Sequence, residues 1–353
     1  MDYGEEWRTC RKLTHKEFSA TAFKKYRPIL AHHAHDFVRR VTKHPVAHVS
    51  IHLKHMAGAS IMQVTYGIKV LPEDDPFIGL AEAGLEAMQM CAVDFYLVDT
   101  FPLLRYMPTW FPGAGFKRQA AEWHKGADRQ LNIPYEDYLR REVRATALGK
   151  ADYCMVKGLA ETFGTDKDTQ RMAKMAAASM YSGGAETAHA RRELDAILGG
   201  SRLPTFEDLG SVPYIDALIK ELLRWQPIVR LDLPHKLQRD DVYNGCHLAK
   251  DSIVIANIWS ILHDAKVYPD PDTFAPDRFL KNSTGALNPE IPDPGDIAFG
   301  FGRRVCAGKS MVYDTLWITI ATILACTEIS PAKDAAGKDI QVQTNDCSIG
   351  LAT

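Results

Sequence analysis

Phe299-Gly300-Phe301-Gly302-Arg303-Arg304-Val305-Cys306-Ala307-Gly308 is a glycine-rich turn around one cysteine, and an apolar run that reads as a helix, residues 310–326, begins directly behind it. A cysteine just ahead of a helix N-terminus lies where free N–H groups and the helix dipole favour negative charge, hence the thiolate. The glycines let backbone amides approach the sulfur, and hydrogen bonds of that kind tune a metal–thiolate bond. Arg304 adds a fixed cation suited to a carboxylate. The bland alternative is a buried structural cysteine beside a phosphate-type glycine loop. Against it stands the full pattern F-x-x-G-x-R-x-C-x-G, matched at Phe299, Gly302, Arg304, Cys306 and Gly308.

The chain has 353 residues, 46% of them apolar, and a formal charge of −2, enough for one large core or two merged ones. Its basic residues are interspersed with acidic ones, which excludes the basic stripe of a nucleic-acid binder. Cys10, Cys91, Cys154, Cys246, Cys306, Cys326 and Cys347 are odd in number and contain no C-x-x-C pair. That argues against a disulfide framework or a zinc module and for a reducing compartment. The acidic start, Met1 to Glu6, does not read as a targeting segment. Leu316 to Cys326 is too short an apolar run to cross a bilayer.

Periodicity predicts helices over residues 5–41, 57–70, 77–96, 117–132, 135–148, 153–163, 169–198, 213–225 and 310–326. Strand-like patches lie at 228–233, 242–248 and 252–257, and a proline- and aspartate-rich meander spans 269–295. A mainly α fold with a small β component follows. Phe101 to Gly113 is a proline-punctuated apolar loop. His32, His33 and His35 with Asp36 lack a second ligand cluster, so a solvated helix face is the expectation there.

Several further segments accompany the cysteine loop. Glu221 and Arg224 stand three apart on one helical face, and Phe274-Ala275-Pro276-Asp277-Arg278-Phe279 follows downstream. Trp7 and Arg11 stand four apart at the front, His235 follows Pro234, and Gly183-Gly184-Ala185-Glu186-Thr187 interrupts a proline-free tract. Together with the cysteine loop, these segments resemble the cytochrome P450 family of haem-thiolate monooxygenases, of microsomal, fungal type. The resemblance runs from Trp7 almost to the end.

The resemblance implies a single P450-like domain over 1–353 that carries haem b, with Cys306 as axial ligand to the iron. Phe299, Gly302 and Gly308 shape the ligand loop, and Arg304, Trp7, Arg11 and His235 hold the propionates. Glu221, Arg224 and Arg278 form a buried structural triad beneath the haem. Glu186 and Thr187 relay protons during oxygen activation, helped by the space that Gly183 and Gly184 leave, and Ile228, Val229, Arg230 and Leu231 contact an apolar substrate. Arg230 and Asp232 are polar where small or apolar residues are expected. The resemblance also implies electrons from NADPH through a flavoprotein reductase, docked near Lys12, Arg303 and Lys309. It places the protein at the cytoplasmic side of the endoplasmic reticulum, with membrane contact through Phe101–Gly113; a soluble intracellular protein is the alternative for a chain in which no anchor is read.

Two departures stand out. Everything that the family carries before the Trp7 helix, including the membrane anchor and the first strands, has no counterpart here. After Thr187 the text passes almost at once to Arg191-Arg192-Glu193-Leu194-Asp195, as if part of the central helix and the helix after it were deleted near 188–190. Unfilled core positions are costly, so weak haem retention and low stability are expected. Two other readings stay open: a non-catalytic haem-binding remnant, and a peroxide-driven haem-thiolate enzyme that needs no reductase.

Overall fold

A computed structural model describes residues 4–43, 49–80, 98, 101–111, 113–147, 153–158, 198, 202–281 and 285–327. The chain divides into two compact units, 1–183 and 184–353. Among the described residues helices predominate and strands are short, a mainly α fold with a small β component.

The first unit contains α1 (Glu5–Phe18), α2 (Ala20–Phe23), a 3-10 turn (Lys24–Tyr26), α3 (Arg27–Lys43), α4 (Val49–Tyr66) and α5 (Gly115–Ala147). The single front helix expected from periodicity breaks at Ser19, whose hydroxyl accepts the Ala22 N–H and so caps a new start. The helix expected over 57–70 begins earlier and ends at Tyr66. There Gly67 turns the chain with φ +65°, a conformation that suits glycine. The two helices expected around Asn132 are one, with Pro134 inside α5. Tyr135 and Tyr138 after the proline are packed with Met62, Tyr66, Ile68, Cys154 and Val156, and that tertiary burial outweighs the local cost of the proline. Arg141 then donates to the carbonyls of Tyr66 (3.0 Å) and Gly67 (3.0 Å), satisfying the exposed end of α4.

In the second unit, α6 (Pro213–Trp225) matches its expected bounds. Proline suits the first helical position, and Pro227 discourages continuation past Gln226. Two small antiparallel sheets follow. β1 (His235–Lys236) pairs with β4 (Ile253–Val254), His235 opposite Val254. β2 (Asp241–Tyr243) pairs with β3 (Cys246–Leu248) through Asn244 and Gly245, both at positive φ. Residues 228–233 do not form the expected strand. They lie alongside residues 256–259 through Asp232 N–H to Ala256 O (2.9 Å) and Trp259 N–H to Arg230 O (3.0 Å), while Pro227 and Pro234 deny further ladder donors on either side.

Beyond the sheets come α7 (Ile258–Leu262), the meander with a 3-10 turn at Pro276–Phe279, α8 (Gly295–Ala298), a 3-10 turn at Gly302–Arg304 and α9 (Lys309–Cys326). Leu316, Trp317, Ile318, Ile320, Ala321 and Leu324 of α9 are all buried, so this helix is covered nearly all round. A core of Ala217, Ile258, Leu262, Tyr268 and Phe279 receives Ile297, Ala298 and Phe301 from the approach to the cysteine loop. Of the expected helices over 77–96 and 153–163, residues 77–80 and 155–158 are helical. Apart from Tyr153, Cys154 and Leu198, the rest of these two segments and of 169–198, with the expected deletion, lies outside the described residues.

Candidate functional site

The cysteine loop is built on two residues in left-handed backbone, Gly300 (φ +75°) and Gly302 (φ +57°), which only glycine adopts cheaply. The Cys306 N–H donates to Phe299 O at 2.8 Å, Arg304 N–H to Phe301 O at 3.2 Å and Val305 N–H to Gly302 O at 3.3 Å. These bonds close the loop and leave Cys306 exposed, three residues before α9 begins. A Cβ at Gly302 would meet no atom within 4 Å, so that side of the loop is open. Phe299 and Phe301 face inward: Phe301 packs on the core, and the Phe299 ring lies 5.7 Å from that of Tyr313.

His235 and Asp232 stand at the same loop. A Cβ at Gly300 would come within 3.4 Å of Asp232 Oδ1, and Asp232 Oδ2 lies 3.8 Å from His235 Nε2. Arg304 of the loop is exposed. Beside Asp232 in sequence, Leu231 and Leu233 are solvent-facing, as are Ile253, Val254 and Ile255 of the β4 segment. An exposed cysteine and arginine on an open glycine turn, a histidine brought to that turn through Asp232, and bare apolar side chains fit a haem held through its iron, its propionates and its apolar rim.

The triad residues converge. Glu221 receives two hydrogen bonds from Arg224, at 2.7 and 2.8 Å, one from Arg278 at 3.3 Å and one from the Ala275 N–H at 2.8 Å. Arg224 also donates to the carbonyls of Leu262, Pro271 and Thr273, and Arg278 to those of Pro269, Asp270 and Thr273. Glu221 and Arg224 are fully buried. Both arginines therefore act as nails driven through α6 and the 3-10 turn into the meander's carbonyls, with one carboxylate shared between them.

Other expected site residues are placed as follows. Trp7 and Arg11 are half-buried on α1 of the first unit. Ile228 and Leu231 are exposed and Val229 is half-buried. The Arg230 guanidinium lies 4.5 Å over the Trp259 ring and bonds Gln226, which engages a side chain expected at substrate. Glu186 and Thr187 lie outside the described residues. The solvated-face expectation for the histidines fits His32, which is exposed, and needs correcting at His33. His33 is half-buried and bonded to Gln63 Oε1 at 2.8 Å, and desolvation pushes its pKa down to about 4. With His32, His55, Asp36, Arg40 and Lys69 it lines a cavity of about 440 Å³. Among the described residues no His, Cys, Asp and Glu group is arranged to hold a metal ion.

Sequence reasoning missed a polar knot behind the loop. Asp293 accepts from Lys220 Nζ, from the Gly295 N–H (2.8 Å) and from Tyr313 Oη (3.4 Å). Its members come from α6, the meander and α9, 73 and 20 residues apart, so no local spacing signals it. Next to it, burial pushes the Asp216 carboxyl up to about 6, against the pull of Lys220. Between about pH 4 and 6 the folded chain keeps a proton that the unfolded chain has released. This contribution is full below the unfolded value and is lost as pH rises through 6. Asp216→Asn is expected to flatten that part of the pH–stability curve and to raise stability at pH 7, by at most about 3 kcal/mol. Urea titrations from pH 4 to 8 check it, and an unchanged slope contradicts it.

The cytochrome P450 family model matches residues 1–187 and 178–351. Cytochrome P450 monooxygenase COX2 of Coprinopsis cinerea is 36% identical over 97% of this chain and 69% of its own length. Cytochrome P450 monooxygenase 98 of Postia placenta is 38% identical over 95% and 67%, and the tryptamine 4-monooxygenase of Psilocybe cyanescens 35% over 97% and 71%. The chain belongs to the cytochrome P450 family. Its function is that of a haem-thiolate monooxygenase, an oxidoreductase with haem iron as cofactor, a small-molecule substrate and a redox partner. Among the described residues no helix is long and apolar enough to cross a membrane.

Proposed function

We propose that Cys306 ligates the iron of haem b, with Arg304, His235, Trp7 and Arg11 on the propionates, and that residues 1–353 form one P450 domain shortened near 188–190. The observation that carries this is the exposed sulfur of Cys306 on a loop closed by its own N–H on Phe299 O. The bound haem supplies the binding and reductive cleavage of O2. The chain's part is to donate electron density from the Cys306 sulfur, to hand on protons through Glu186 and Thr187, and to hold an apolar substrate against Ile228, Val229 and Leu231. Phe299, Gly302 and Gly308 keep the sulfur's approach fixed.

Electrons come from NADPH through a flavoprotein reductase that meets Lys12, Arg303 and Lys309. Of these, Lys309 is paired with Asp296 at 2.9 Å. The haem-loaded protein is expected to turn over with NADPH and reductase and not with peroxide alone. The reverse pattern would favour a peroxygenase, and neither would favour a non-catalytic remnant.

The Phe101–Gly113 loop serves as a membrane contact on the cytoplasmic side of the endoplasmic reticulum. Its backbone is closed by Leu104 N–H to Phe101 O and Met107 N–H to Leu104 O, while Leu103 is 81% and Trp110 78% exposed. Ordered turns that present an aliphatic and an indole side chain outward suit an interface. Replacing both Leu103 and Trp110 by serine is expected to lower partitioning onto phospholipid vesicles at least about tenfold, since burying one such side chain is worth about 1.5–3 kcal/mol. Unchanged sedimentation with vesicles contradicts it.

A further inference from the structure

We propose that Tyr313, held by Asp293, is a positioning residue for Cys306, fixing the Phe299 ring and through it the backbone from which the sulfur is presented. The inference rests on the reading of Cys306 as the iron ligand. It begins from where the cysteine's own N–H goes. That donor is committed to Phe299 O at 2.8 Å, so the sulfur's position follows the Phe299 backbone. The Phe299 ring is in turn bracketed by the Tyr313 ring at 5.7 Å and by Lys309 Nζ, 5.8 Å from its centroid, itself tethered to Asp296.

Tyr313 is held at its far end. Its hydroxyl donates to Asp293 Oδ1, which also accepts the Gly295 N–H, while Lys220 Nζ takes the other carboxylate oxygen. Gly295 makes room for that hydroxyl: a Cβ there would lie 2.1 Å from Tyr313 Oη. α8 and the first turns of α9 are thus fitted around one phenol. Burial works to raise the Asp293 pKa, but Lys220 and the Gly295 N–H outweigh it and keep the carboxylate charged. Burial and that same carboxylate push the tyrosine upward, so it remains a neutral donor. The charged or titratable groups around the knot are Asp216, Lys220, Tyr268, Asp293, Asp296 and Lys309. A metal ligand needs its supporting side chains locked by packing and hydrogen bonds to within about 0.5 Å, and this chain of contacts runs without a gap from Lys220 to the cysteine N–H.

The test uses haem-loaded protein and follows the ferrous–CO spectrum as its thiolate-type Soret band gives way to the thiol-type band. Tyr313→Phe keeps the ring and removes the tether, and Asp293→Asn weakens the tether from the other side. Thr322→Val is the control: its buried hydroxyl donates to Ile318 O at 2.7 Å within α9 and bonds no member of the knot, and the comparison is made at matched denaturant stability. Either knot variant is expected to speed the conversion about fivefold, the worth of one hydrogen bond, with Thr322→Val within about twofold of wild type. Wild-type rates in both knot variants, or equal acceleration in the control, overturn the proposal. A thiolate-type band that survives in Cys306→Ala would instead sink the ligand assignment itself.

Discussion

Glu221→Ala is expected to destabilise the protein by about 3–5 kcal/mol, because it leaves Arg224 buried without a counter-charge. Arg224 is fully buried, and its guanidinium spends Nε and Nη2 on the carboxylate. Its remaining bonds go to carbonyls, which accept a proton's bond but do not neutralise charge. The loss extends to Arg278 and to the Ala275 N–H, both of which use Glu221 Oε1. The meander would then be freed from α6 along 269–278. Glu122→Ala offers the contrast. Its pair with Lys125 has both side chains about 70% exposed, and such pairs contribute about 0–1 kcal/mol. Changing Glu221 and Arg224 together to apolar residues of similar volume is expected to recover much of the single loss, since the desolvation of two charges disappears with them. Denaturant unfolding of the haem-loaded variants reads all three, and a single-variant loss under about 1 kcal/mol would contradict the account.

Much of the second unit was readable in the sequence because its signals are local. The Pro213 start and the Gln226-Pro227 stop bound α6, and the apolar run after Gly308 gives α9. The cysteine loop was readable because glycine, arginine and cysteine at fixed spacing serve a local turn. Long-range partners were not. Glu221 and Arg224 are neighbours on a helix, but nothing in their spacing separates a buried pair from a solvated one; that came from likeness to a family. The Lys220, Asp293 and Tyr313 knot joins three separate elements and had no signal at all. In the first unit, propensity misled at Pro134, where burial of Tyr135 and Tyr138 carries the helix through, and at Ser19, where a side-chain cap divides what periodicity joins. The strand expected at 228–233 failed for a related reason: an apolar run fits a strand only where its backbone donors have partners, and prolines bound this one.

Cys306→Ala is the second large expected effect. Outer partners of a metal ligand are typically worth about 10–100-fold in metal affinity. Loss of the ligand itself should weaken haem retention more than about 100-fold and abolish monooxygenation. The fold should survive, because the side chain is exposed and its N–H bond to Phe299 O is a backbone bond that alanine keeps. Far-ultraviolet circular dichroism should therefore match wild type while the haem is lost.

The most direct measurement is the reduced-CO difference spectrum of the hemin-loaded chain beside Cys306→Ala. A red-shifted Soret band in the wild type that vanishes in the variant is what a thiolate at residue 306 produces. No such band in the wild type, or the same band in both proteins, would mean that the iron is not held by this sulfur.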